Sequence, residues 1–357
     1  MSKLLSKVGL PTFCIAILLL FIVGLAGGVL GDAFGGGFLK GPIAHIQLAA
    51  EPITGDLFLG FAITNTMVAT WMAMALLIII AFFATRKLSL VPSGLQNLVE
   101  AVMEGFLSLT EGIAGKQNAR RFFPLVFTIF IFIVMANWLG ILPGFGTIGT
   151  IETAEHLIEH EIHEAHEEGR DSDLSSIELQ TFNGDSVALM PFGSSSISAE
   201  EYEHHGLDSA DKAGILVPFF RSVNTDLNTP LAIALVAMFM VHTWGIRAIG
   251  IFNYSGKFFN FSRLRKGDPM GIIDVFVGLL ELVSEFARII SFTFRLFGNI
   301  FAGEVLLVAM GFLIPLIGIM PFLGLELFVG FIQAFIFAML TLVFAVMATT
   351  PHEGEDH

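Results

Sequence analysis

The sequence has one cysteine in 357 residues, Cys14, and it lies within an apolar stretch. An intrachain disulfide is excluded, and neither redox nor metal-thiolate chemistry is indicated. No G-x-x-x-x-G-K-[ST] loop occurs, so ATP chemistry, if any, belongs to other chains. Charged residues make up only 14% of positions. Segments of about ten residues with alternating polarity are absent, which excludes a membrane β-barrel.

What is present is apolar. Hydrophobic residues occupy 54% of positions, mean hydropathy is +0.78, and several runs approach or exceed the roughly 20 residues that cross a bilayer. The composition predicts an all-α polytopic membrane protein. The net charge of −14 is local: residues 151–216 hold sixteen acids, two bases and six of the ten histidines, while the remaining sixteen acids and sixteen bases balance.

The runs divide the chain. Residues 1–31 hold the first, Leu10 to Leu30; MSKLLSKVG before it resembles a signal peptide, but the run is long and no clear A-x-A site follows, so it reads as a retained helix. Residues 32–150 carry two more, Phe58 to Phe83 and Phe122 to Leu142. Residues 151–216 are the acidic, His-rich insertion. Leu231 to Gly250 lies in 217–270 with a basic loop, and 271–350 contains Gly271 to Leu313 and Phe322 to Thr349 ahead of a tail, 351–357. With the N-terminus in the cytoplasm, twelve of the eighteen bases fall on that side, from Lys3 and Lys7 to Arg265 and Lys266. The insertion then lies outside, and both termini inside.

Residues 93–115 differ in kind. Leu95, Leu98, Val99, Val102, Phe106 and Ile113 keep helical spacing, with Gln96, Glu100, Glu104, Ser108 and Glu111 on other faces. An amphipathic interfacial helix is expected, opened by a capping box of Ser93 and Gln96.

Gly271 to Leu313 contains no proline; 43 residues extend roughly 60 Å, about twice the hydrocarbon thickness. It has to tilt, curve or break, and Pro315, Gly318 and Pro321 mark the turn of a slanted C-terminal hairpin. Midway stands Arg295, a charge costing at least about 3 kcal/mol in hydrocarbon, which makes it functional by default. At 100° per residue, Glu281, Ser284, Arg288, Ser291, Arg295, Asn299 and Ala302 share one stripe. Asp274 and Glu285 lie off it and read as solvated or ion-paired.

The segment R-L-F-G-N-I-F-A-G-E around Arg295 closely resembles the signature of subunit a of F-type ATP synthases. HIQLAAEPI, LVPSGLQNLVE, MANWLGILPG, TDLNTPLAIAL and QAFIFAMLTLVF are similar to further family segments, in family order. The likeness covers nearly everything except the first 40 or so residues and the insertion. It implies a stator that carries protons past a ring of c subunits in a bacterial inner membrane, with peripheral stalk b subunits and other synthase subunits as partners, lipid around it, and neither cofactor nor nucleic acid. No catalytic centre is implied in this chain. Arg295 matches the essential arginine facing the ring carboxylate. Asp226, Asn299, Glu304, Glu326 and Gln333 match the outer access path, and Glu281 and Ser284 the cytoplasmic one. Where Glu326 stands, some members have a histidine; two neighbouring acids, Glu304 and Glu326, cannot both ionise cheaply.

Alternatives are weaker. A secondary transporter is expected to show paired repeats with broken helices, and no duplication is seen. In the insertion, His156, His160 and His163 share one helical face, a spacing compatible with zinc, with a solvated acidic helix or with a proton-collecting surface.

Overall fold

A computed structural model describes residues 10–27, 50–53, 62–142, 144–146, 148–168, 174, 178–183, 188–189, 196–200, 202, 211–256, 258, 271–313 and 319–350. It is mainly helical. In chain order the helices are α1 (Leu10–Gly27), α2 (Asn65–Thr85), α3 (Leu95–Gly140), α4 (Ala154–Glu168), α5 (Asn228–Ile249), α6 (Ile251–Gly256), α7 (Gly271–Leu313) and α8 (Met320–Thr349). By length and composition α2, α3, α5 and α8 can each cross a membrane. Together with the long α7 they bear out the all-α polytopic architecture. Pro315 and Gly318, expected in the hairpin turn, lie outside the described residues, as does the tail 351–357.

Gly115 divides α3. At φ 73° and ψ 155° it leaves the helical region, which glycine does without a side-chain clash, so the amphipathic stretch ends there and a second, apolar helix follows. The expected capping box is replaced: Gln96 accepts from the Ser89 backbone N–H (3.2 Å) and donates to the Ser89 carbonyl (3.1 Å) and Glu100 Oε1 (2.7 Å). Gln96 thus reaches seven residues back to the loop, not three back to Ser93.

The chain forms two compact units. The first takes its described residues from 1–69, 139–222 and 301–328. It contains a five-stranded antiparallel sheet that hydropathy did not announce, formed by β1 (Ile148–Thr153), β2 (Glu178–Asn183), β3 (Ala188–Leu189), β4 (Ser196–Ser198) and β5 (Asp211–Pro218), in the order β3-β1-β5-β2-β4. Central β5 pairs with β1 from Gly149 opposite Pro218 to Thr153 opposite Gly214. A small core of Ala154, Leu179, Ala199, Ala213 and Ile215 sets α4 on the sheet. The described part of the acidic insertion is therefore a helix packed on a sheet. The backbone of α4 does place His156, His160 and His163 at helical spacing; His163 is exposed, and the side chains of the other two lie outside the described residues.

The second unit draws on residues 70–138, 223–300 and 329–357 and holds the main apolar core. Phe122, Ile133, Met238, Leu296 and Leu342, all fully buried, bring together the second half of α3, α5, the 271–300 part of α7 and the 329–349 part of α8. Rings meet at the crossings: Phe122 with Trp244 and Phe292 with Phe337, each at 4.7 Å. Buried Ala234, Ala237, Ala334, Ala338 and Ala345 let the backbones approach, as small residues do in membrane bundles.

Candidate functional site

Arg295 sits on α7 between two unlike faces. On one side Phe292, Leu296 and Ile300 are buried in the core; on the other Phe276, Val283, Phe286, Ile290 and Phe294 are exposed at 56–61%. The polar stripe runs along the border between them. Arg295 is half-buried, its Nη2 donates to Ser291 Oγ at 3.1 Å one turn earlier, and its Cζ lies 5.9 Å from the Phe292 ring centre. Among the described residues no carboxylate pairs with it. Asn299, one turn on, is exposed, and Gln333 on α8 is buried at 7%.

Toward the start of α7 the charges do pair. Arg288 donates through Nη1 to Glu285 Oε1, stands 4.0 Å from Glu281 Oε1 through Nη2, and stacks over the Phe344 ring at 4.7 Å. Glu281 and half-buried Ser284 share this end of the stripe. Glu285 is ion-paired as expected, but at 13% side-chain exposure it is not solvated. It lies 3.7 Å from Nε2 of His242, a residue whose lone place in α5 gave no sequence signal.

Asp226 is buried beside the start of α5. Its Oδ1 accepts from both the backbone N–H and the side-chain amide of Asn228, each at 3.1 Å, so it serves the helix N-terminus directly.

In the other unit, Glu326 is buried at 8%, with its carboxyl over the Cα of Gly303, the residue next to half-buried Glu304. The same unit contains an acid that the sequence reading passed over. Glu51 is 7% exposed and accepts from Asn65 Nδ2 at 2.9 Å, while the Asn65 backbone N–H donates to the Glu51 carbonyl at 3.1 Å. Burial pushes the Glu51 carboxyl up to about 7; Glu152 and Glu304 add to this, and Arg221 and the Asn65 hydrogen bond oppose it. Glu51 occurs in the segment HIQLAAEPI, but only the fold brings it into the field of Arg221 and Glu304.

The ATP synthase A chain family matches residues 67–346, a range that contains every site residue named from the sequence. Among curated relatives, ATP synthase subunit a of Helicobacter pylori strain Shi470 is 28% identical over 300 residues, covering 84% of this chain and 92% of its own. The Helicobacter acinonychis subunit a matches to the same extent, and that of Campylobacter jejuni is 28% identical over 278 residues, covering 78% of this chain and 86% of its own. With more than three quarters of its length matched by the family and with four helices able to cross a bilayer, this chain is a membrane protein that belongs to the ATP synthase A chain family.

Proposed function

We propose that this chain is the proton-translocating stator subunit of a rotary ATP synthase in a bacterial inner membrane, with Arg295 facing the carboxylate of each passing c subunit. One observation carries the reading: Arg295 lies at the edge of an exposed apolar face of α7 and has no carboxylate partner among the described residues. An arginine in hydrocarbon needs a counter-charge, and a rotor presenting one carboxylate at a time supplies it. Guanidinium stays charged at any working pH and relays no proton itself. Its field lowers the pKa of an approaching carboxylic acid, so a proton is released as the ring passes while a direct leak meets a fixed positive charge.

Access from the two sides is then offset along α7. Glu281 and Ser284 serve the cytoplasmic path, on the side of the basic loop. Asp226, Asn299, Glu304, Glu326 and Gln333 serve the outer one, with the acidic insertion outside the membrane. Peripheral stalk b subunits and the remaining synthase subunits hold the stator and convert the rotation, each proton contributing about 2.3 kcal/mol per 100 mV. The reading is tested by Arg295→Ala in the assembled complex: proton-driven ATP synthesis should be lost, and its full retention would sink the proposal.

A further inference from the structure

His242 is held between a hydroxyl on one side and a carboxylate on the other. Its Nδ1 lies 2.7 Å from the Tyr254 hydroxyl on α6, and its Nε2 lies 3.7 Å from Glu285 Oε2 on α7. Behind Glu285 stand Arg288 and then Glu281, and the Arg288 guanidinium lies over the Phe344 ring of α8. Tyr254 is fixed. It is 6% exposed, and its ring fills the space that a side chain on Gly245 of α5 would need.

The Tyr254 hydroxyl fits both tautomers of the ring. Burial, with the Glu285 carboxylate adding, pushes the Tyr254 phenol up to about 12, so it keeps its proton at any working pH. The hydroxyl can donate to Nδ1 or accept from Nδ1–H, so the contact is kept in either tautomer while a proton comes and goes at Nε2, toward Glu285. Glu285 Oε1 is occupied by Arg288, whereas Glu285 Oε2 is buried and makes no hydrogen bond among the described residues. A buried acceptor left without a hydrogen bond, opposite the ring Nε2, has the layout of a transfer site and not of a packing contact. A purely structural pair at this depth closes its hydrogen bond.

We propose that His242 is a proton-carrying station on the Glu281 side of Arg295, exchanging its proton with Glu285 and held in register by Tyr254. In the loaded state the imidazolium carries hydrogens on both nitrogens, and the Tyr254 hydroxyl turns to accept from Nδ1. Transfer moves the Nε2 proton to Glu285 Oε2, giving a neutral ring with its hydrogen on Nδ1 and a neutral carboxylic acid. Ring rotation or one bridging water closes the 3.7 Å gap. The reverse transfer, from Glu285 Oε2 back to Nε2, restores the starting state, so the station works in either direction as both synthesis and pumping require. Glu281, the most exposed member with 42% of its side chain accessible, is the end of the array that meets solvent or the stripe.

This inference rests on the stator reading, and the two are separated by experiment. In membrane vesicles carrying the whole synthase, ATP-driven proton pumping is followed between about pH 5 and 8 for His242→Gln, Tyr254→Phe and Arg295→Ala. Glutamine keeps a hydrogen-bonding side chain but carries no proton, so His242→Gln should slow pumping by at least about tenfold and flatten its pH dependence, while ATP hydrolysis by the catalytic sector persists. Free imidazole in the buffer should restore part of the rate in His242→Ala. Tyr254→Phe should shift the pH profile. Wild-type rates and profiles in both His242→Gln and Tyr254→Phe, with Arg295→Ala inactive, would overturn the relay and leave the stator reading standing. Loss of rate with an unchanged pH profile and no rescue by imidazole would assign His242 to packing and also overturn it. If His242→Gln does not assemble, Tyr254→Phe decides alone: an unshifted profile refutes the relay.

Discussion

The carboxyl of Glu326 occupies the space that a side chain on Gly303 would fill. The glycine of the A-G-E segment is thus a docking surface for a buried acid, and it holds that acid one residue from Glu304. Gly303→Ala should displace the carboxyl and destabilise the protein by about 1–3 kcal/mol through overpacking, measured as thermal unfolding in detergent. Adding Glu326→Ala should recover most of that loss. If the two changes are simply additive, the contact is not what limits residue 303.

Glu51 predicts how stability varies with pH. Its carboxyl is raised in the folded protein from 4.5 to about 7, so the folded state binds the proton more tightly than the unfolded chain. That contribution is complete below about 4.5 and is lost as pH rises through about 7. Glu51→Gln should therefore improve relative to wild type as pH increases from about 4.5 to about 7, with the unfolding temperature difference levelling off above that. A pH-independent difference would mean that the carboxyl titrates normally.

Asn137 ties α3 to α8. Its Nδ2 donates to the Gly330 carbonyl at 3.0 Å, and its Oδ1 accepts from Asn224 Nδ2 at 2.6 Å, all of it buried. Asn137→Leu leaves one carbonyl and one amide unsatisfied, each costing about 1–3 kcal/mol. The expected result is a large drop in assembled synthase recovered from membranes at unchanged expression. Normal recovery and thermal stability would show the bridge to be dispensable.

These cases also show where sequence reading stops. Apolar runs located α2, α5 and α8, and the polarity change near Gly115 located the end of the amphipathic helix, because both are written in contiguous residues. The stripe from Glu281 to Asn299 was legible for the same reason, as one helix repeats its own faces. The sheet was not: β3 and β4 have two and three residues, too short for an alternation to register, and β5 pairs with β1 across some sixty residues. His242 and Glu51 escaped notice because their meaning lies in partners. A histidine alone in α5 is unremarkable until α6 and α7 bring Tyr254 and Glu285 to its two nitrogens. Glu285 itself was set aside for lying off the stripe, yet that offset turns it toward α5.

Ser291 separates charge from orientation at Arg295. The Ser291 hydroxyl accepts from Nη2 at 3.1 Å and, among the described residues, is the hydrogen bond that aims the guanidinium, the Phe292 ring at 5.9 Å contributing only a weak electrostatic contact. Ser291→Ala leaves the positive charge in place, so under the proposed function the field acting on a ring carboxylate survives, but the fork is free to swing. A hydrogen bond of this kind is worth about 0.5–1.5 kcal/mol, which corresponds to a loss of roughly two- to tenfold in ATP synthesis rate. Passive proton leak should stay low, since blocking depends on charge and not on aim. Abolition of synthesis as complete as in Arg295→Ala would mean that position, more than charge, drives release; an unchanged rate would mean that the passing carboxylate orients the guanidinium by itself.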